Sequence, residues 1–153
     1  MISRKRFALG YFIILLSGIV GCGGPYDASV AGLVTLDGNP IPTGSISFVP
    51  SQGGPLAYAI VNESGSYEVQ TGSVTGLPAG EYKIAVMARK SSTTRSADGG
   101  PPPPGEEITP RWYASPETSG LTFTVEPGSN EINLELTSQP PAGWQDPAKR
   151  GRG

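Results

Sequence analysis

The sequence predicts an all-β fold, an antiparallel β-sandwich of seven strands. Short runs of β-branched and aromatic residues recur at spacings of about 8–12 residues, which is typical of sandwiches and barrels. No stretch after Cys22 keeps the 3.6-residue periodicity of a helix. The 22 glycines and 16 prolines among 153 residues fall mainly between the runs, where turns require them. The chain is long enough for one ordinary domain.

Five of the predicted strands lie within the first 86 residues. Each alternates apolar with polar residues, as expected when one face of a sheet is buried. The alternation predicts inward side chains for Ile46, Phe48, Tyr82, Ile84 and Val86. Asp37-Gly38-Asn39-Pro40 is a strong turn after the first strand, and Asn62-Glu63-Ser64-Gly65 is predicted to join the third and fourth strands as a hairpin. The five strands are residues 30–36, 45–49, 56–61, the short strand with Tyr67 and Val69, and 82–86.

Two later runs, residues 121–125 and 132–136, complete the seven, and residues 126–130 are predicted to join them as a hairpin turn. Residues 91–107 contain four consecutive prolines and almost no apolar side chain, which predicts an extended or mobile loop. Residues 139–153 are predicted to be a disordered tail, with Trp144 as the only large apolar group. The sandwich is therefore expected to span residues 28–138.

The amino terminus has the pattern of a secretory signal. Arg4, Lys5 and Arg6 precede 14 apolar or small residues, 7–20. As a helix this run would span roughly 21 Å, less than the bilayer core of about 30 Å. A basic segment followed by a short apolar stretch is typical of an export signal rather than a lasting membrane span.

Ile19-Val20-Gly21-Cys22 resembles the lipobox of bacterial lipoproteins. The resemblance implies signal peptide 1–21, cleavage between Gly21 and Cys22, lipid on the Cys22 thiol and acylation of the new amino terminus. Several acyl chains satisfy the two-signal requirement for stable anchoring. Residues 22–27 would then be a short lipidated leash. An ordinary cleavable signal or a short uncleaved anchor is the alternative.

Composition excludes several classes of function. The absence of histidine excludes triads and zinc sites that need imidazole, and one cysteine excludes an intrachain disulfide. Removal of residues 1–21 takes away three of the 11 basic residues and none of the 13 acidic ones, which leaves a formal net charge of −5. We therefore expect no nucleic acid partner, no cofactor and no catalytic activity.

Three segments together resemble carboxypeptidase regulatory-like domains, which are prealbumin-like or transthyretin-like, Ig-like sandwiches. They are residues 30–38 (VAGLVTLDG), residues 62–67 (NESGSY) and residues 77–82 (LPAGEY). Small secreted lipoproteins of planctomycete-type bacteria are the most similar subgroup, which also carries a proline-rich loop followed by a segment like residues 108–121. The resemblance covers roughly residues 28–137. It implies the fold, and little about the task, because a fold does not define a site.

Arg111, Trp112 and Tyr113 are the candidate ligand-binding residues. The aromatic pair could form a platform for a sugar or peptide with Arg111 as a polar clamp, or it could fold back to cover one end of the sandwich. Asp98, Glu106 and Glu107 could gather a cation, but adjacent loop carboxylates are usually only solvated, and no metal is expected. Ser73 is one place early for a nucleophile elbow, so no catalytic residue is predicted.

These observations predict a non-catalytic, lipid-anchored protein of the bacterial cell envelope with a structural or protein-interaction role. Its expected partners are the membrane, through lipid on Cys22, and an envelope protein or glycan. The alternative is an envelope glycan- or peptide-binding module that uses Trp112 and Tyr113. The residue after the cysteine is Gly23 and not the aspartate of a retention signal, so the sequence does not decide between the inner and the outer membrane.

Overall fold

The computed structural model describes residues 24–92 and 99–146. This part of the chain is all-β, with a single short 3₁₀ turn at Arg111–Ala114. Its eleven strands are β1 (Ala28–Leu36), β2 (Asn39–Pro40), β3 (Gly44–Pro50), β4 (Ala57–Val61), β5 (Ser66–Glu68), β6 (Gln70–Thr71), β7 (Val74–Thr75), β8 (Gly80–Met87), β9 (Leu121–Val125), β10 (Gly128–Glu131) and β11 (Leu134–Leu136).

One sheet has five strands and is built around β1. On one side of β1, β10 and then β11 pair with it in parallel, from Ala28↔Gly128 to Leu36↔Leu136. On its other side, β5 and β2 pair with it in antiparallel fashion. The longest strand of this sheet is therefore flanked by four short ones.

The other sheet has six strands in the order β7-β6-β4-β3-β8-β9, and every pairing in it is antiparallel. Its centre is β3, which pairs with β4 through Ser47↔Tyr58 and with β8 through Ser47↔Ala85. The chain passes from this sheet to the five-stranded one after β9, since β9 pairs with β8 and the next strand pairs with β1.

The two sheets pack face to face around one core, which makes the body a β-sandwich. Val30, Val34 and Leu134 come from the five-stranded sheet and are almost fully buried; Phe48 and Ile84, from the six-stranded sheet, are fully buried. The Phe48 ring packs against Tyr82 from its own sheet and Tyr67 from the opposite one, with ring centroids 6.1 and 6.3 Å apart. The predicted inward residues Ile46, Phe48, Tyr82, Ile84 and Val86 are thus confirmed.

A close approach of two backbones occurs at Gly32 in β1. A Cβ at this position would overlap the carbonyl oxygen of Ile132, in the link between β10 and β11. The same carbonyl accepts a hydrogen bond of 2.6 Å from the buried Tyr67 hydroxyl. Burial raises the pKa of Tyr67 above its ordinary value, so the phenol stays a donor. Position 32 requires glycine because the backbone of Ile132 lies too close for a side chain, and not because of a left-handed backbone conformation.

Both hairpin predictions need correction. Residues 126–130 do not form a hairpin between the two late strands, because β9 belongs to one sheet while β10 and β11 belong to the other, where they run parallel to β1. The turn at residues 62–65 is present, with Gly65 at φ 83°. However, β5 after it pairs with β1, and only Gln70 of β6 returns to pair with Tyr58 of β4.

Each of the seven predicted runs contains a strand, but the count of seven is not confirmed, since the described residues hold eleven. The additional strands are β2, β6, β7 and β10, which have two to four residues each. They are mainly polar or exposed, so a pattern of buried and exposed residues does not mark them. No helix within residues 24–92 and 99–146 is long and apolar enough to cross a bilayer.

Candidate functional site

The residues predicted as a candidate site lie in the 3₁₀ turn Arg111–Ala114, at one end of the sandwich. Pro110, with φ −57°, precedes the turn and fixes the backbone where it begins. Thr109 and Ile108 tie the approach to β8, because Ala88 N donates to Thr109 Oγ1 at 2.9 Å and Ile108 N donates to Ala88 O at 2.9 Å. The turn is thus attached directly to the six-stranded sheet.

Trp112 and Tyr113 are both buried, with 7% and 6% of their surfaces exposed. The rings pack against each other with centroids 5.8 Å apart. The Tyr113 hydroxyl accepts a hydrogen bond of 3.1 Å from Thr137 N, just after β11, while Thr118 Oγ1 donates to Trp112 O at 2.7 Å. Tyr113 therefore links the turn to the end of β11 in the five-stranded sheet, and the burial of both rings agrees with a covering role at this end of the sandwich.

Trp144 covers Trp112 from the other side. The two indole rings meet edge to face with centroids 5.0 Å apart, a favoured aromatic geometry. A turn in which Trp144 N donates to Pro141 O at 3.1 Å presents the ring. Trp112 Nε1 is nevertheless buried with no hydrogen-bond partner, the single such side-chain atom in the described residues. The sequence predicts that Trp144 belongs to a disordered tail, residues 139–153. Residues 147–153 of that tail lie outside the described part of the chain, so the prediction stays untested for them.

Arg111 is exposed and joins a row of ion pairs. Its Nε lies 2.8 Å from Glu107 Oε2, and the other oxygen of Glu107 lies 3.0 Å from Arg89 Nη2. Asp146 Oδ1 is 3.9 Å from Arg111 Nη1. The hydrogen bond to Glu107, followed by its charge, raises the pKa of the Arg111 guanidinium. These groups are largely exposed, so each pair adds little stability.

The geometry therefore separates the three predicted site residues. Arg111 is exposed and bonded to carboxylates, while the rings of Trp112 and Tyr113 are packed inside and present no open face to a ligand. Binding of a sugar or peptide on these rings would require Trp144 to move. Sequence reasoning missed this covering contact, because an isolated tryptophan in a polar segment does not reveal what it packs against.

The other predicted features are distributed as follows. Glu107 is the carboxylate between two arginines, and Glu106 lies 2.6 Å from Lys90 Nζ, whose hydrogen bond and charge lower the pKa of Glu106. Asp98 lies outside the described residues, as do Gly21 and Cys22. No group of three potential metal ligands occurs within residues 24–92 and 99–146. Gly105 ends the proline-rich loop against Lys90, where a Cβ would overlap the Lys90 carbonyl oxygen.

Compared with family models, curated proteins and solved structures, the chain matches none of them.

Proposed function

We propose that the protein is a lipid-anchored component of a bacterial cell envelope with a structural or protein-interaction role and no catalytic activity. One observation carries the proposal. A basic segment, 14 apolar or small residues and Ile19-Val20-Gly21-Cys22 occur in the order and spacing of a lipoprotein signal, and Cys22 is the sole cysteine of the chain. In this proposal Cys22 is lipidated after cleavage at Gly21.

The position of the sandwich supports this arrangement. β1 begins at Ala28, so only five residues separate it from Cys22. A fully extended segment of this length spans roughly 20 Å at most. The body would thus be held close to the membrane and would present its loops to neighbouring envelope molecules. With a net charge of −5 after cleavage, the lipid rather than attraction to an anionic surface would hold it there.

We further propose that the sandwich is a transthyretin-like, carboxypeptidase regulatory-like domain, related to the small lipoproteins of planctomycete-type bacteria. The all-β architecture with two packed sheets supports this assignment at the level of fold class. The residues that carry the resemblance occupy turn and core positions: Gly38 and Gly65 have φ of 83°, and Tyr67 is buried between the sheets. These roles are mechanical, in keeping with a structural function.

The test is lipid labelling in a bacterial host. The wild-type chain is expected to incorporate an alkyne-tagged fatty acid and to sediment with membranes, whereas Cys22→Ala is expected to lose both properties. Ser29→Ala, a change in β1 outside the signal, is the control and should be labelled like the wild type. Absence of label on the wild type, or label that persists on Cys22→Ala, would overturn the proposal.

A second candidate function is binding of an envelope glycan or peptide at Trp112 and Tyr113. The observation that favours it is the unpartnered Trp112 Nε1 beneath Trp144, a donor that an incoming carbonyl or hydroxyl oxygen could satisfy. Trp144→Phe leaves Trp112 as the sole tryptophan and keeps an aromatic cover. A change of its fluorescence upon addition of cell-wall glycan fragments is the expected result; no response to the fragments would contradict this function.

A further inference from the structure

The first described residues run along one edge of the six-stranded sheet. A Cβ on Gly24 would lie 4.0 Å from the carbonyl oxygen of Thr75 in β7, and a Cβ on Gly76 would lie 3.4 Å from the Tyr26 side chain. Leu77 N then donates to Ala28 O at 3.0 Å. Gly24, two residues after Cys22 in the sequence, therefore lies beside β7.

The outward side of this sheet carries exposed apolar side chains, which we name the outer apolar face. They are Leu56, Tyr58, Ile60 and Met87, with exposed fractions of 63%, 43%, 66% and 44%. Alternation places Tyr58 and Ile60 outward, because their neighbours Ala57, Ala59 and Val61 are buried. An apolar cluster on the surface of a small domain marks a contact surface.

Strand register shows that these residues lie on one continuous surface. Ile60 pairs with Ser45, and Ser45 pairs with Met87, so a small serine separates two large apolar side chains. Tyr58 pairs with Ser47, which pairs with Ala85. The outward residues of β3 and β4 include no charged side chain. Charged side chains lie beside this face: Glu81 and Lys83 are outward on β8, and Glu68 lines a cleft of about 380 Å³ beside Ile60.

The same register connects this face to the position of Gly24. Thr75 pairs with Gln70, and Gln70 pairs with Tyr58. With neighbouring strands about 4.8 Å apart, Tyr58 is roughly 10 Å from Thr75, and Gly24 lies against Thr75. Cys22 precedes Gly24 by two residues, a reach of about 7 Å. An acyl chain on Cys22 would thus begin near the β7 edge of the sheet that carries the outer apolar face.

We propose that the outer apolar face lies on the lipid surface that holds Cys22, so that the sandwich has a fixed orientation on the membrane. This inference rests on the proposed lipid anchor. The occupant is lipid because the short leash holds the bilayer near the β7 edge of this sheet, and because the four side chains of the face are apolar although the mature chain is acidic. Leu56 and Ile60 enter the interfacial layer, and the five-stranded sheet points away from it.

The test measures the distance of two matched positions from lipid. Ser47 lies within the outer apolar face, and Ser129 lies on β10 of the other sheet; both are exposed, and Ser129 is also near the start of β1. Ser47→Cys and Ser129→Cys are made in the full chain, which is produced in lipidated form, labelled with a maleimide fluorophore and placed in phosphatidylcholine vesicles containing brominated acyl chains. Thioether-linked Cys22 does not react with the label.

Bromine is expected to quench the label at position 47 about threefold or more compared with position 129. Addition of Leu56→Ser and Ile60→Ser to Ser47→Cys should bring quenching down to the level of position 129, since both side chains are exposed and their removal leaves the core intact. Raised salt should not reduce quenching, because the contact is apolar. Ser45→Cys provides a second labelling position on the same face.

Equal quenching at positions 47 and 129 in protein that remains bound to vesicles would overturn this inference alone. Quenching that disappears in high salt would also overturn it, because the contact would then be electrostatic. If the wild-type chain itself takes up the maleimide at Cys22 and fails to bind vesicles, the lipid anchor is wrong and this inference falls with it.

Discussion

The strands within the two sheets of the sandwich are connected by different patterns of hydrogen bonds. In the six-stranded sheet, β3 forms unbroken antiparallel ladders with β4 and β8. In the five-stranded sheet, short strands share the edges of β1, and side chains bridge the interruptions: Asn133 Oδ1 accepts from Leu33 N at 2.9 Å, and Asn130 Nδ2 donates to Ser29 O at 3.1 Å. A continuous ladder of backbone hydrogen bonds tolerates substitution of exposed side chains. An interrupted ladder depends on the side chains that bridge its gaps, here those of Asn130 and Asn133.

Gly32→Ala is expected to have the largest effect, because the new methyl group would overlap Ile132 O and separate β1 from the link between β10 and β11. We expect a loss of about 3 kcal/mol or more in the free energy of unfolding, measured by urea denaturation. Gly100→Ala is the control, since nothing lies within 4 Å of a Cβ there. The contact of β1 with β10, β11 and the link between them is the seam of the five-stranded sheet. Equal stability of the two variants would show that this seam can relax and that the two sheets respond alike to substitution.

A matched pair of tyrosines sharpens the comparison. Tyr67→Phe removes a buried donor and leaves Ile132 O with one partner fewer, so we expect a loss of about 1–2 kcal/mol. Tyr82→Phe removes a hydrogen bond of 2.8 Å to Pro78 O that is only partly buried, and its expected cost is below about 1 kcal/mol. Thermal or urea unfolding of both variants provides the measurement. The reverse order would mean that the seam is not the more sensitive region.

Trp144→Ala removes the cover of Trp112 at the end of the sandwich. We expect a loss of about 0.5–1.5 kcal/mol from the aromatic contact. Trp112 then becomes the single tryptophan, and acrylamide should quench its fluorescence more strongly than in Trp144→Phe, where an aromatic ring remains. The same quenching in both variants would indicate that Trp144 does not cover Trp112 in solution.

The smallest effect concerns Asp37 at the end of β1. Its carboxylate accepts a hydrogen bond of 3.0 Å from Ser138 N, and this bond lowers the pKa of Asp37 from 3.8. Because the pKa is lower in the folded state than in the unfolded state, the ionised carboxylate stabilises the fold at a pH above the unfolded-state pKa. This stabilisation is lost as the pH falls through the folded-state pKa. Unfolding in urea should therefore show wild type losing slightly more stability than Asp37→Asn below about pH 3.8. If the stabilities of wild type and Asp37→Asn change with pH in the same way, the hydrogen bond from Ser138 N to Asp37 does not stabilise the seam.

The positions of the strands could be predicted from the sequence, because alternation reports burial on one face. Residues 121–125 were placed correctly to the residue, and Ile46, Phe48 and Tyr82 were assigned to the core. Alternation does not report which strand lies alongside. Alternation alone therefore predicts a hairpin between the two late strands, although β9 pairs with β8 and β11 pairs with β1, about a hundred residues earlier.

The candidate site was predictable only in part. Arg111-Trp112-Tyr113 stands out as an aromatic cluster next to a charge, but packing and binding use the same residue types, and burial distinguishes them only in the folded chain. The cover by Trp144 and the row of charges through Glu107 depend on contacts between segments that are remote in sequence. The proposed lipidation of Cys22 rests on a linear sequence motif, which the fold of the body does not test.

The parallel pairing of β1 with the last strands sets an order of events during synthesis. β1 is made first, but Gly128 and Leu136, which pair with its two ends, are made a hundred residues later. Until then Val30 and Val34 have no partner strand on that side, and closing so long a loop is slow. A nascent chain truncated before residue 128 therefore retains an open edge, which another chain can occupy. The sandwich closes only when its two ends meet.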